Sequence, residues 1–219
     1  MKLSYCICTH NEGDYVGSLL ELICKNLVGD DEIIVVDDYS DDNKTLSYLK
    51  MFSDHIKSYQ HHLNGDFSAH KNFAASMCTG DAIFSIDADE YFSGDKISRL
   101  RDLTEKMIMT GRNDVIILPR INMLDRMDEH FIATHKITSV IIEGEEKKII
   151  NYPDWQIRIW SNKSGLRFSG IVHETLSGYK KPFYCDDIGF AIEHIKTFDR
   201  QMKQDELYRG LISNANQPG

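Results

Sequence analysis

Short apolar runs alternate with amphipathic stretches along the first half of the chain. Leu3–Thr9 reads as a strand that stops at the polar cluster Thr9-His10-Asn11-Glu12-Gly13. Tyr15, Val16, Leu19, Leu20 and Ile23 then recur at helical spacing, with Gly29 as a stop. Residues 32–36 are apolar or β-branched after Glu32, as in a strand covered on both faces. They run into Asp37-Asp38-Tyr39-Ser40-Asp41-Asp42, a polar turn that can open the next helix over 44–52. The pattern continues with a weak strand over 56–60, a helix over 69–78 closed by Thr79-Gly80, and a buried strand over 82–86 ending in Asp87-Ala88-Asp89-Glu90. Leu100, Leu103, Met107 and Ile108 predict one more helix, and 115–118 one more strand.

Strands separated by helices predict right-handed βαβ units and a mostly parallel central sheet flanked by helices. Ligands of such sheets bind beyond the carboxyl ends of the strands. Three polar clusters (9–13, 37–42 and 87–90) fall on that rim, which points to one shared site. The second half has a different texture. Residues 120–152 read as polar and irregular, with a hairpin tip or loop at 143–148. Residues 155–160 alternate like a strand, 190–195 read as another, and a charged helix of mixed sign follows near 199–212, taken as a surface face.

Composition narrows the partners. Against 34 acidic residues stand 25 basic ones, a net charge of −9, so broad attraction to nucleic acid or an anionic membrane is disfavoured. A chain of that charge that handled phosphates would need a cation or a focused set of basic residues. No run approaches the ~20 apolar residues that cross a bilayer, and no secretory signal is visible, so no stable membrane insertion is expected. The five cysteines lack zinc or disulfide spacing and predict free thiols in a cytoplasmic protein.

Asp87 and Asp89, two residues apart at a strand end, can converge on one hard divalent cation or on a ribose. Asp37 and Asp38 can accept hydrogen bonds from a base or ribose, or serve only the turn and its N-cap. Neither a Gly-x-Gly-x-x-Gly dinucleotide fingerprint nor a P-loop is present.

In order, Thr9-His10-Asn11-Glu12, Ile33-Ile34-Val35-Val36-Asp37-Asp38-Tyr39-Ser40-Asp41-Asp42, Ala69-His70-Lys71-Asn72 and Gly80-Asp81-Ala82-Ile83-Phe84-Ser85-Ile86-Asp87-Ala88-Asp89-Glu90 resemble the motifs of family 2 glycosyltransferases of the GT-A fold. The resemblance is close over residues 3–92 and continues in patches through 155–160, Val172-His173-Glu174 and His194, as in short bacterial and phage members with a His-Glu motif. It implies a single GT-A domain with a nucleotide-sugar-binding half (1–119) and an acceptor-binding half (120–219), leaving little room for a further domain. The implied activity is metal-dependent transfer of a sugar, from a UDP-sugar by default, to an acceptor hydroxyl, with inversion.

By position, Asp37 resembles the nucleobase reader, with Thr9, Asn11 and Glu12 lining the same pocket. Lys71 stands where the family usually has Arg. Asp87 resembles the ribose or metal-water partner and Asp89 the direct ligand of Mn2+ or Mg2+, with His194 completing the metal sphere. Glu174 is the expected base, and His173 positions it or contacts diphosphate; Glu90 is left as an alternative base or a supporting partner. Arg158 reads equally as a diphosphate or acceptor contact and as a surface arginine. Trp155 and Trp160 are expected to pack in the core rather than stack on a sugar, and His61, His62, His130 and His135 to face solvent. A sugar-phosphate nucleotidyltransferase would need a Gly-rich basic loop at 9–14, which is missing. A catalytically silent nucleotide-sugar-binding module is disfavoured by intact Asp87, Asp89 and Glu174. The acceptor stays open among a glycan, a protein side chain, a lipid-linked group and a modified DNA base, and oligomeric state has no sequence signature here.

Overall fold

The computed structural model describes residues 1–92, 94–142, 144–163, 165–170 and 174–215. The βα repeat of the first half forms as the pattern predicts: β1 (Leu3–Thr9), α1 (Asp14–Asn26), β2 (Glu32–Asp37), α2 (Asn43–Met51), β3 (Ile56–Gln60), α3 (Phe67–Met77) and β4 (Ala82–Asp87). Two of the helices start where sequence chemistry dictates: the Asp42 and Asp66 carboxylates accept the backbone N–H of Thr45 and Ala69, each at 2.9 Å. After β4 come β5 (Glu90–Tyr91), α4 (Gly94–Thr104), β6 (Val115–Leu124), α5 (Glu129–Thr134), β7 (Ile137–Ile142), β8 (Glu145–Ser161), β9 (Arg167–Ser169), β10 (Thr175–Ser177), β11 (Pro182–Tyr184), β12 (Ile192–Lys196) and α6 (Phe198–Ala215).

Among the described residues one sheet runs in the order β3-β2-β1-β4-β8-β6-β12-β5, with β7 paired to β8 and β11 to β6. Strands β3, β2, β1 and β4 are parallel, and β8 enters antiparallel between β4 and β6. The expected irregular segment 120–152 is instead sheet: β6 extends past Pro119 to Leu124, and β7 and β8 form a hairpin whose turn holds Gly144 at φ 83. Its apolar residues, among them Ile137, Val140, Ile141, Ile149 and Ile150, are broken up by polar ones because much of the hairpin is open to solvent, so the pattern reads as irregular. The expected boundary at 119/120 falls inside β6, and one α/β sheet carries both halves.

Two apolar layers sandwich the sheet. Tyr5, Ile7, Leu20, Phe84 and Ile116 pack on one face with α1 and α4, and Cys6, Ile34, Val36, Ala74 and Trp160 pack on the other with α3. All five cysteines are free thiols. Among the described residues no helix is long and apolar enough to cross a membrane.

The amino ends of β1, β2 and β4 are tied by one buried carboxylate. Glu32 accepts from Lys57 Nζ (2.7 Å), Ser4 Oγ (2.7 Å) and the Thr79 backbone N–H (2.6 Å). Beside it the backbone passes so close to β1 that a Cβ on Gly80 would meet the Lys2 carbonyl oxygen at 2.8 Å. Burial alone would raise the Glu32 pKa, but these hydrogen bonds more than reverse it and hold the group below the usual carboxylate range. The unfolded chain therefore binds this proton more readily. The stabilisation is complete above the unfolded pKa of about 4.3 and is lost as the pH falls from there through the folded value. Glu32→Ala is expected to lose about 2 kcal/mol at neutral pH by stranding the Thr79 and Ser4 donors, and in Glu32→Gln the acid limb of stability against pH is expected to flatten. Urea unfolding across pH reads both, and an acid limb as steep as in the wild type contradicts the assignment.

Candidate active site

Strand β1 is flanked by β2 on one side and β4 on the other, so the chain order reverses beside it, and Cys8 lies in register with Asp87. Open α/β sheets bind ligands at such a reversal, outside the carboxyl ends. A cleft of about 720 Å³ opens there, and Thr9, Asp38, Lys71, Asp87, Arg158 and Glu174 are among the side chains that line it. The loops after β1 and β2 each hold a non-glycine residue in the left-handed region, Asn11 (φ 53) and Tyr39 (φ 50). Such backbone persists only where surrounding bonds impose it. Here Asn11 Oδ1 accepts the N–H groups of Asp41 (2.9 Å) and Asp42 (3.1 Å), locking the two loops together. Burial pushes the Cys8 thiol up to about 12, so it enters the cleft uncharged.

The centre of the cleft is a ladder of alternating charge. Glu174 Oε1 meets Lys71 Nζ at 2.6 Å, and Lys71 reaches Asp87 Oδ1 at 3.3 Å. Asp87 Oδ2 accepts from Arg158 at 2.9 Å, and the same Arg158 nitrogen bonds Glu90. Arg120 then joins Glu90 (3.4 Å) to Asp154 (2.8 Å), its partner in the β6–β8 register. Burial opposes ionisation of Asp87, but Arg158 and Lys71 pull its carboxyl well below the usual range. Lys71 is held charged in turn: Asp87 and Glu174 outweigh its burial and raise its pKa.

Local structure explains who stands in the ladder. The β6–β8 register slips between Ile116 and Ile117, which face Ile159 and Ile157, so Arg158 is the extra residue of a β-bulge. Ile157 and Ile159 consequently pack on opposite sides of the sheet. Arg158 is neither a surface arginine nor in the regular alternation that the sequence predicts; it is 3% exposed and aimed at β4. Asn72 supplies the other constraint: it donates to the Phe168 carbonyl and accepts from the Phe168 N–H, both at 2.9 Å. That pair docks the β9–β10 region on α3 and brings Glu174 to Lys71.

Asp89 forms a second group. His194 Nε2 lies 3.1 Å from Asp89 Oδ2, with Arg200 at 3.3 Å and Lys196 Nζ at 3.5 Å. Burial again opposes ionisation, yet the His194 hydrogen bond and the neighbouring positive charges hold Asp89 below the usual carboxylate range. The His194 ring is oriented from behind. Asn122 Nδ2 donates to Asp154 (2.8 Å), which turns Asn122 Oδ1 toward His194 Nδ1 (2.7 Å), its register partner on β6. Nδ1 therefore donates to Asn122, and Nε2 is the ring nitrogen turned to the Asp89 oxygen. The nitrogen and the oxygen can share a proton, as in the His194–Asp89 hydrogen bond, or a metal cation. The donor set, one carboxylate oxygen and one imidazole nitrogen, suits Mn2+ or Mg2+ if diphosphate and water supply the rest. Among the described residues no third His, Cys, Asp or Glu completes a protein cage.

Several expected site residues are placed differently. Asp37 does not line the cleft: it is 2% exposed, and its carboxylate accepts from the Ser40 N–H and hydroxyl. Asp38, the next residue along, lines the cleft instead, its Oδ1 accepting the Leu63 N–H at 2.9 Å. Asn11 braces the loops. Thr9 and Glu12 do reach the cleft, the Thr9 hydroxyl buried without a partner among the described residues and Glu12 bonded to Arg200 at 2.5 Å. Glu90 lies behind Asp87, fully covered, so its supporting role stands and access as a base does not. His173 lies outside the described residues. Trp160 is core, as expected, but Trp155 is 38% exposed at the cleft. His61 and His135 are half-buried, each stacked on a phenylalanine. Helix α6 is not a plain surface face, because Arg200, Gln204 and Tyr208, one turn apart in succession, line the cleft.

Residues 4–167 match the family model described as Glycosyl transferase family 2, and the chain belongs to that family. Among solved structures it resembles S. aureus TarS 1-349 in complex with UDP-GlcNAc, at 16% identity and a TM-score of 0.58, over 90% of this chain and 59% of that one. The complex of TarS 1-349 with UDP gives 16% identity and a TM-score of 0.59 over 100% and 67% of the two chains, and S. aureus TarS gives 15% and 0.60 over 96% and 39%. The likeness is one of fold, and the chain spans 59% of the first of these structures. No curated protein matches the sequence.

Arg158→Ala is expected to lower stability by about 3 kcal/mol, because it leaves Glu90 buried, and Asp87 half-buried, with one cation fewer. Urea unfolding measures it, and an unchanged midpoint contradicts the ladder.

Proposed function

We propose that this chain transfers a sugar from a nucleoside diphosphate sugar to an acceptor hydroxyl, with inversion at the sugar carbon. The observation that carries the reading is the meeting of Asp87, Asp89, His194, Lys71 and Glu174 in one cleft at the carboxyl end of β4. Family membership supports it. UDP is the favoured nucleotide, since the TarS structures that share this fold hold UDP and UDP-GlcNAc.

In this reading Asp38, rather than Asp37, accepts from the nucleobase, and Thr9 turns its unpartnered hydroxyl to the nucleoside. Asp87 takes the ribose side. Asp89 and His194 would hold Mn2+ or Mg2+, whose charge offsets that of the departing diphosphate. Lys71, Arg200 and Lys196 add positive charge where the diphosphate lies. Glu174 is the base: it accepts the proton of the acceptor hydroxyl as that oxygen bonds the sugar carbon. The bond from that carbon to the diphosphate breaks on the opposite side, and its electron pair leaves with the diphosphate. Lys71 fixes the Glu174 carboxylate relative to Asp87, so base and donor are positioned from one residue.

Asp89→Ala is expected to abolish metal-dependent binding of a UDP-sugar, measured by calorimetry, while circular dichroism shows the fold kept; undiminished binding removes the metal assignment. Glu174→Gln is expected to bind donor as the wild type does but to transfer sugar at least about a hundredfold more slowly. Normal turnover in that variant gives the base role to another group.

A further inference from the structure

Trp155 and Tyr184 form an exposed aromatic corner on the cleft side of the sheet. Their ring centroids are 5.3 Å apart and their planes cross at 86°, so each ring keeps a face the other does not cover. Trp155 is 38% exposed and Tyr184 52%, whereas the other tryptophan, Trp160, is 3% exposed in the core. Both rings stand on rigid backbone: Trp155 opposes Pro119 across β6–β8, and Tyr184 opposes Ile117 across β11–β6. They therefore share the face of the sheet on which Phe168 and Leu176 pack, the face from which Glu174 enters the cleft. Trp155 and Glu174 line the same cleft.

An aromatic face carries negative potential and an aromatic edge positive potential. A pyranose ring offers the complement, one face of C–H groups bearing slight positive charge and a perimeter of hydroxyls that donate and accept hydrogen bonds. An indole face at the edge of a cleft lined by charged side chains such as Lys71, Asp87 and Glu174 fits that pattern. An acyl chain would call for a continuous apolar trough, and the cleft that Trp155 borders is lined instead by Lys71, Asp87, Arg158 and Glu174. We propose that the Trp155–Tyr184 corner is the acceptor subsite and that the acceptor is a saccharide, its pyranose ring stacked on Trp155 and its reacting hydroxyl directed toward Glu174. This rests on the transferase reading above and goes beyond it by choosing the acceptor class.

The test separates the two. Iodide quenches the fluorescence of an exposed indole and spares a buried one, so in the wild type it reports Trp155. Methyl pyranosides of glucose, galactose, mannose and N-acetylglucosamine, together with cellobiose and lactose, are titrated against iodide quenching without any donor. Saturable shielding by at least one of them is expected. In Tyr184→Ala, which keeps the reporter, that saccharide is expected to bind about tenfold more weakly. In the transfer assay Trp155→Ala is expected to raise the KM for the same saccharide about tenfold or more, with Trp155→Phe restoring most of it.

No shielding by any saccharide overturns the proposal, as does turnover on a serine peptide or a polyprenyl phosphate that Trp155→Ala leaves untouched. Release of UDP from UDP-sugars in water reads the donor half alone. Release without shielding leaves the transferase standing and the saccharide subsite refuted. Shielding without binding of any sugar nucleotide does the reverse.

Discussion

The ion pair between Arg158 and Asp87 is the contact on which the rest of the site depends. A carboxylate at a strand end, half-buried in a cleft, is held ionised by the cations that stand beside it. Asp87 has two, Lys71 from α3 and Arg158 from β8, and each is in turn held by a second carboxylate, Glu174 or Glu90. Charge therefore alternates from Glu174 to Asp154 with no member left alone. Because the members come from α3, β4, β5, β6 and β8 and from the segment before β10, the ladder also fixes the relative position of the elements that build the cleft. The bulge at Arg158 and the Asn72–Phe168 clamp are the backbone features that let it close.

The cleft does not by itself offer the counter-charge that the proposed diphosphate needs. Lys71, Arg120, Arg158, Lys196 and Arg200 line it, but so do seven carboxylates, which leaves that task to the cation that Asp89 and His194 would hold. The basic set is not uniform: Arg158 and Arg120 are committed to the ladder, whereas Lys196 and Arg200 gather at Asp89 and His194. The cleft thus has a braced half, where Asp87 sits, and a half whose charges meet at one carboxylate oxygen that a cation can share.

Much of the fold was legible because buried parallel strands leave apolar runs and their ends leave polar clusters: β1, β2 and β4, with the rim they define, follow from that alone. Beyond β4 the signal fades for identifiable reasons. The hairpin of β7 and β8 is half solvated, and polar residues break up its apolar positions. In β12 the usual alternation is inverted, since Ile195 is 48% exposed while His194 and Lys196 are 6% exposed each; polar residues face inward there because the inside is a polar cleft. The same holds for α6, whose cleft-facing Arg200, Gln204 and Tyr208 look like a solvent face until the cleft is seen. Their spacing of four residues was the available signal. The choice between Asp37 and Asp38 turned on which of two adjacent carboxylates the Ser40 turn consumes, and only coordinates reveal that.

The central claim is that the cleft at the carboxyl ends of β1 and β4 binds a nucleoside diphosphate sugar. Calorimetric titration of the wild-type chain with UDP-, GDP- and dTDP-sugars, each in Mn2+ and again with the metal chelated, tests it most directly. The account predicts saturable binding of at least one sugar nucleotide in Mn2+, weakened on chelation. Absence of binding by every sugar nucleotide under both conditions contradicts it.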